Sequence, residues 1–399
     1  MRGALGLGLL AGCGDAMAVS DGASSEASAQ TSISVSEATP TTGAPILDLG
    51  TGGCGLGNGD LGLSFIWIAN STQGTISKID TRELRERGRY IVRPDAAGDP
   101  SRTSVNLAGD VAVANRNGGI TKVYALPERC AESNGEPGLQ TATDAEFLAW
   151  GVEECVAWHT PLAYRSQRPV AWTAGDFDAQ RCRWTGQKLW TAGMNTAGTV
   201  DILRLDGDTG AVEAMTTIAG VHADIYGMYG GAVDAGGNFW ASQVGHGSLL
   251  FVDAVTLEHK MWDLPVGAYG ITVDADGNVW TCAGNATRFD PETESFTVTP
   301  AGEYGGCMLD GAGLLYKATP GGILAFDTAS LTSVRTYPLP RHIHGISVDF
   351  DGYVWGVSQG SEAYRLDPVD GSFATVAGLV GAYTYSDMTG FALSQVAVP

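Results

Sequence analysis

The feature that most constrains this chain is a segment that returns with the length of one supersecondary unit. It reads Asp234-Ala235-Gly236-Gly237-Asn238-Phe239-Trp240, then Asp274-Ala275-Asp276-Gly277-Asn278-Val279-Trp280, then Asp349-Phe350-Asp351-Gly352-Tyr353-Val354-Trp355, with a weaker copy from Asp310 to Tyr316. Each copy is followed by a second strand-like run that closes on aspartate, at Asp253, Asp290, Asp327 and Asp367. Earlier members close at Asp80 and Asp206, and one variant closes at Tyr124. The last four aspartates stand 37, 37 and 40 residues apart. That period is the length of a four-stranded propeller blade.

Within a repeat, apolar and polar residues alternate. In Gly270-Ile271-Thr272-Val273 the side chains of Ile271 and Val273 share one face and Thr272 takes the other, the pattern of a half-buried antiparallel strand. Gly, Asn and Asp gather at the reversals, so the Asp-x-Asp-Gly-Asn run is a hairpin turn, and the aromatic residue is expected to end the strand that follows. The chain's two ends supply the remaining clue. The first repeat starts at Ser64-Phe65-Ile66-Trp67 with the sequence of a second strand, and Tyr385 to Leu393 has the sequence of an inner strand with nothing after it. Pairing them would complete one blade and remove two exposed sheet edges. The expected fold is therefore all-β, a seven-bladed β-propeller closed by its N- and C-terminal strands. It spans residues 46–399, with an insertion at about 128–168 and blades starting near Ser101, Pro169, Tyr226, Ala268, Tyr304 and His344.

With 23 Lys and Arg against 44 Asp and Glu, the formal charge is −21, so the surface repels phosphate backbones. Nucleic acid is not an expected partner. The start, Met1-Arg2 followed by apolar Ala4 to Leu10 and then Leu10-Ala11-Gly12-Cys13, has the order of a secretory signal. A cysteine at the cut resembles the bacterial lipobox, with residues 1–13 as signal and Cys13 as the lipidated residue. The membrane partner would then be reached through a lipid anchor only, on a lipoprotein of the bacterial cell envelope. Residues 14–45 are rich in Ser, Ala, Thr and Gly and almost free of aromatics, which marks a flexible linker.

Setting Cys13 aside leaves six cysteines, an even number in an exported chain, and three disulfides are the expectation. Cys130 and Cys155 bracket the insertion, Cys282 ends one hairpin, and Cys307 begins the next blade. Those neighbours pair, which leaves Cys54 with Cys182.

In a propeller the loops leading into inner strands and those joining second to third strands open around one end of the central channel. Here they supply His222, Asp224, Tyr226, Tyr269, Tyr304, His342, His344, Tyr385 and Asp387, together with Asn115, Arg116, Asn195, Gln243, His246, Asn285 and Gln359. From these, the binding set is His222, Asp224, Tyr226, Gln243, His246, Tyr269, Tyr304, His342, His344 and Asp387. Four of the six histidines fall in these loops, and histidine serves both as general base and as metal ligand.

The strand of Tyr269-Gly270-Ile271-Thr272-Val273 type, the Asp-Ala-Asp-Gly-Asn turn and a third strand closing as Asp290-Pro291 or Asp367-Pro368 resemble the repeats of the streptogramin B lyase (virginiamycin B lyase) family and NHL-like propellers. The resemblance covers most of residues 64–395. It implies seven blades and, in the lyase itself, a Mg2+-assisted elimination using histidine and glutamate at the channel mouth. His344 stands where that family places a histidine, and His246 lies in a second-to-third loop, so these two are the catalytic candidates. The glutamate expected after the second-strand aromatic is replaced by Gln243, Ala283 and Ser358. The favoured reading is thus a non-catalytic propeller that binds a protein, peptide or glycan at its polar mouth. The second reading is a metal-assisted lyase or hydrolase with Mg2+ as cofactor.

Overall fold

A computed structural model describes residues 64–397, with 303 and 304 excepted. The described chain forms seven antiparallel blades. Six are four-stranded and the first, Phe65–Asn70, Thr75–Asp80 and Arg85–Ile91, has three regular strands. The inner strands of the other six are Pro100–Val105, Ser166–Trp172, Met228–Val233, Gly270–Val273, Cys307–Leu309 and Ile343–Val348, within a few residues of the expected blade starts.

The recurrent segment has a local physical cause. In the turn after Gly270–Val273, one carboxylate oxygen of Asp274 accepts the backbone N–H groups of Asp276 (3.1 Å) and Asn278 (2.8 Å), and the other accepts the Trp280 indole N–H at 2.9 Å. Asp234 holds Trp240 at 2.9 Å and Asp349 holds Trp355 at 2.8 Å in the same way. One side chain thus fixes both the hairpin and the rotamer of a core tryptophan. The aromatic residue lies at the beginning of the second strand, as in Val279–Cys282 and Val354–Ser358, and not at its end as the sequence suggested. The closing aspartates cap the next turn: Asp253 accepts the N–H of Val255 (2.9 Å) and Thr256 (2.7 Å), and Asp367 that of Val369 at 2.8 Å.

The tryptophans fill the seams between blades. Trp67, Trp190 and Trp355 are fully buried, and Trp190 stacks on Phe239 of the next blade at 5.6 Å. Each such side chain removes ~200 Å2 from water, worth on the order of 5 kcal/mol before conformational entropy is charged against it.

Closure is achieved by the C-terminal segment, in a form that differs from the expectation. It lies beside the first blade through Tyr383 N–H to Ala69 O (3.1 Å), Trp67 N–H to Met388 O (2.9 Å) and a single bridge between Asn70 and Ala382. These contacts are too sparse for a regular strand. Beyond them, Phe391–Val396 is a helix, where the sequence suggested the end of a strand. Ala, Leu, Ser and Gln tolerate helix well, and Leu393 and Val396, three apart, share one face. That face packs at the channel end formed by Val233 and Val273, with Asp387 accepting N–H groups of Gly390 (2.8 Å) and Leu393 (3.1 Å). The helix closes the end of the channel where the hairpin turns lie.

The insertion also departs from its expected limits. Val156–Thr160 is the outer strand of the second blade, pairing with Ile120–Val123, so the inserted material ends at Cys155. A short extra hairpin, Asp176–Asp178 with Arg183–Thr185, replaces the tight turn of the third blade. Cys130 is bonded to Cys155 and Cys282 to Cys307, each pair 25 residues apart, as expected. These bonds point to an oxidising compartment outside the cytoplasm. The Cys54–Cys182 pairing falls on Cys54, which lies outside the described residues, as do the signal segment, Cys13 and the linker at 14–45. No helix among the described residues is long and apolar enough to cross a membrane.

Candidate ligand-binding site at the channel mouth

The open end of the channel is shaped by a repeated irregularity in the inner strands. Register shifts lie between Met228 and Gly230, between Ile343 and Gly345, and in the pairing of Ser166–Trp172 with its neighbour. The extra residues are Tyr229, His344 and the Arg168-Pro169 pair. A bulge turns its side chain out of the strand's normal alternation, and here it turns Tyr229, His344 and Arg168 into one cluster. Glycine follows the bulges at Tyr229 and His344, and at Gly345 the backbone is crowded, since a Cβ there would clash with the Thr384 carbonyl.

Tyr229, Tyr269, Tyr383 and Tyr385 form the body of the cluster. The Tyr383 hydroxyl bonds those of Tyr229 (2.7 Å) and Tyr269 (2.9 Å), and the Tyr269 and Tyr385 rings lie 4.5 Å apart. Nε2 of His344 faces the Tyr269 hydroxyl and the Gln359 side-chain amide, the latter at 3.1 Å. As acceptor from both, Nε2 leaves the ring proton on Nδ1. Burial, then the nearby Arg102 charge, pulls the His344 imidazole down to about 3, so the ring is neutral at pH 7 and a weak base. Burial drives the Tyr269 phenol upward, which keeps it protonated.

Three arginines lie against these rings. Arg102 packs on Tyr385 and stands 5.0 Å from the Tyr229 centroid; Arg168 is 4.9 Å from both Tyr226 and Tyr229; Arg116 is 4.7 Å from Tyr383. Arg102 is buried, with 1% exposure, and burial lowers it to about 9, still a cation at neutral pH. Arg116 pairs with Asp99. Arg102 spends Nη1 on the Tyr385 carbonyl at 3.2 Å, while its Nε and Nη2 have no hydrogen-bond partner among the described residues.

Of the residues expected at the mouth, His344 and Tyr269 are at the centre of this cluster, and Tyr226 and His342 flank it, the two histidine rings being 6.4 Å apart. His222 and His246 are exposed in the neighbouring rim loops. Gln243 is a strut: its amide oxygen accepts the N–H of His222 (3.0 Å) and Ser248 (2.9 Å), and its nitrogen donates to His222 O (2.7 Å) and Asp224 Oδ2 (3.2 Å). Asp224 is likewise occupied, holding the N–H of Tyr226 and Gly227. Asp387 is not at the mouth at all. It lies at the opposite end, beneath the C-terminal helix, because the segment beginning at Tyr385 runs down the channel before turning. Tyr304 lies outside the described residues.

Arg102, Arg168, Tyr229 and Tyr383 escape a reading of the loops because they sit within strands or beside the closing segment. One signal was present: Arg102 and Arg168 are the only Lys or Arg in the six inner strands named above. A cation in a strand of that position is unexpected unless it serves the channel.

The architecture and this mouth define a seven-bladed propeller with a polar, aromatic axial site. Among solved structures it is similar to streptogramin B lyase, at TM-score 0.50 and 15% identity over 73% of this chain and 86% of that one. Lower similarity is found to the dihydro-heme d1 dehydrogenase NirN (TM-score 0.49, 12% identity, 79% of this chain and 64% of that one) and to apo AztD from Citrobacter koseri (0.48, 11%, 81% and 96%). No family model and no curated protein matches the chain. At these identities the likeness is one of fold.

Proposed function

We propose that this chain is an exported, lipid-anchored β-propeller that binds a protein, peptide or glycan at its channel mouth without catalysing a reaction there. The observation that carries this reading is the chemistry of the mouth: protonated phenols, a neutral imidazole of low basicity and arginines. Such a surface offers hydrogen bonds, stacking area and positive charge, which suits recognition. At the centre of the cluster the His344 imidazole is held by burial at about 3, which makes it a poor proton acceptor.

The lyase reading draws on the fold and on His344 at the expected place. The donor set does not support it. Among the described residues no group of three or more His, Cys, Asp or Glu side chains could share a metal ion, and Nε2 of His344 is engaged by Tyr269 and Gln359. Mg2+ is a poor match for a mouth of phenols and guanidinium groups, since it takes oxygen ligands of carboxylate type.

Two measurements separate the readings. Immobilised peptide and glycan arrays should give signals that the exposed-rim variant Tyr226→Ala/His246→Ala loses; signals indifferent to that change would place binding elsewhere. A streptogramin B depsipeptide incubated with the protein and Mg2+ should keep its chromatographic retention and its ring fragmentation pattern; a linear isomer of unchanged mass would establish the lyase, and a linear product heavier by one water a hydrolase. Lipid anchoring is tested by labelling with a palmitate analogue, which Cys13→Ser should abolish.

A further inference from the structure

We propose that the mouth takes the oxyanion of its ligand, a carboxylate or phosphate group, on the Arg102 guanidinium with Arg168 beside it. This rests on the reading of the mouth as a binding site and specifies what is bound. Nε and Nη2 of Arg102 form one edge of the guanidinium, the edge whose two parallel N–H bonds match the two oxygens of a carboxylate or phosphate. Those are the two atoms left without a partner.

A buried cation with unused donors is costly, and proteins ordinarily match it with a carboxylate. In this chain acidic residues outnumber basic ones 44 to 23, yet among the described residues neither Arg102 nor Arg168 has a carboxylate at ion-pair distance. Burial loosens the proton on both arginines, the Arg168 charge adds to this at Arg102, and the Arg116 charge adds to it at Arg168. Tyrosine faces soften the repulsion between these charges but supply no full negative charge. An arriving oxyanion would complete the hydrogen bonds of Arg102 and neutralise the pair. Arg168 and Tyr383 are partly exposed, so the cluster reaches solvent on their side. With His344 neutral and the phenols protonated, none of the neighbours would oppose a negative charge.

The test uses the whole protein with inorganic phosphate and acetate as separate probes, at constant ionic strength set with chloride. The melting temperature should rise with one or both, and the Nε–H resonance of Arg102 in 15N-arginine-labelled protein should move in step. Phosphate alone acting would identify a phosphate-bearing ligand, acetate alone a carboxylate-bearing one. Arg102→Met, which fills the space with no unused donors, should fold and lose the response. Arg168→Gln should weaken it about tenfold, the loss of one charge-assisted contact. A melting temperature and resonance indifferent to tens of millimolar of either anion, or a full response in Arg102→Met, would overturn the assignment. Array binding that persists in Arg102→Met would leave the mouth as a binding site while removing the anion from it.

Discussion

Replacing His344 by Gln tests the electrostatics of the mouth through the pH dependence of folding. In the folded chain burial and Arg102 hold the imidazole at about 3, while an unfolded histidine titrates near 6.5. As pH falls below ~6.5 the unfolded state takes up a proton that the folded state refuses, so stability is lost, by about 1.4 kcal/mol per pH unit until ~pH 3. Between pH 7.5 and 4.5 that amounts to about 3 kcal/mol. Glutamine does not titrate and can still accept from the Tyr269 hydroxyl. The quantity to compare is therefore the wild-type unfolding free energy minus that of His344→Gln, from urea titrations followed by tryptophan fluorescence and circular dichroism together. Other titrating groups cancel in this difference, and any constant cost of the substitution drops out. The difference should shrink steadily as pH is lowered. Parallel curves across the range would refute a buried, neutral His344 beside a charged Arg102.

Asp387 carries the opposite sign: burial pushes its carboxyl up to about 6, so the folded state keeps a proton that the unfolded state releases. Stability should fall as pH rises from ~4 to ~6, and Asp387→Asn should flatten that part of the profile; an unchanged slope would contradict the placement under the helix. Removing the Cys282–Cys307 bond by a double Ala substitution should cost about 3 kcal/mol for a loop of this length, read as a lower urea midpoint, and a cost near zero would contradict the bond. Asp274→Ala should cost about 2–3 kcal/mol, because it strips two turn N–H groups and the Trp280 indole of their acceptor; less than 1 kcal/mol would show the turn holding without it.

The blades were legible in the sequence because each is made by local chemistry. An aspartate that locks its own turn and its own tryptophan, as Asp274 does, must recur with the period of the unit it builds. Two of the expected disulfides were legible for the same reason, each joining neighbouring elements. The ring's last segment was not. Apolar residues at 391, 393 and 396 suit an edge strand or a short helix equally, and only the open channel end, with Val233 and Val273 needing cover, selects the helix.

The site divides along the same line. Loop position placed His344 and Tyr269 at the mouth, since the direction of each inner strand follows from the repeat. It could not show that Gln243 and Asp224 are consumed within their own loops, nor that Arg102, Arg168 and Tyr229, drawn from three strands, meet at the axis. Those side chains lie up to 127 residues apart, and what joins them is the closure of the ring and the bulges at its inner edge. Local hydrogen bonding writes a period into a sequence. Convergence at an axis leaves no period, because each strand contributes a different residue to one shared space.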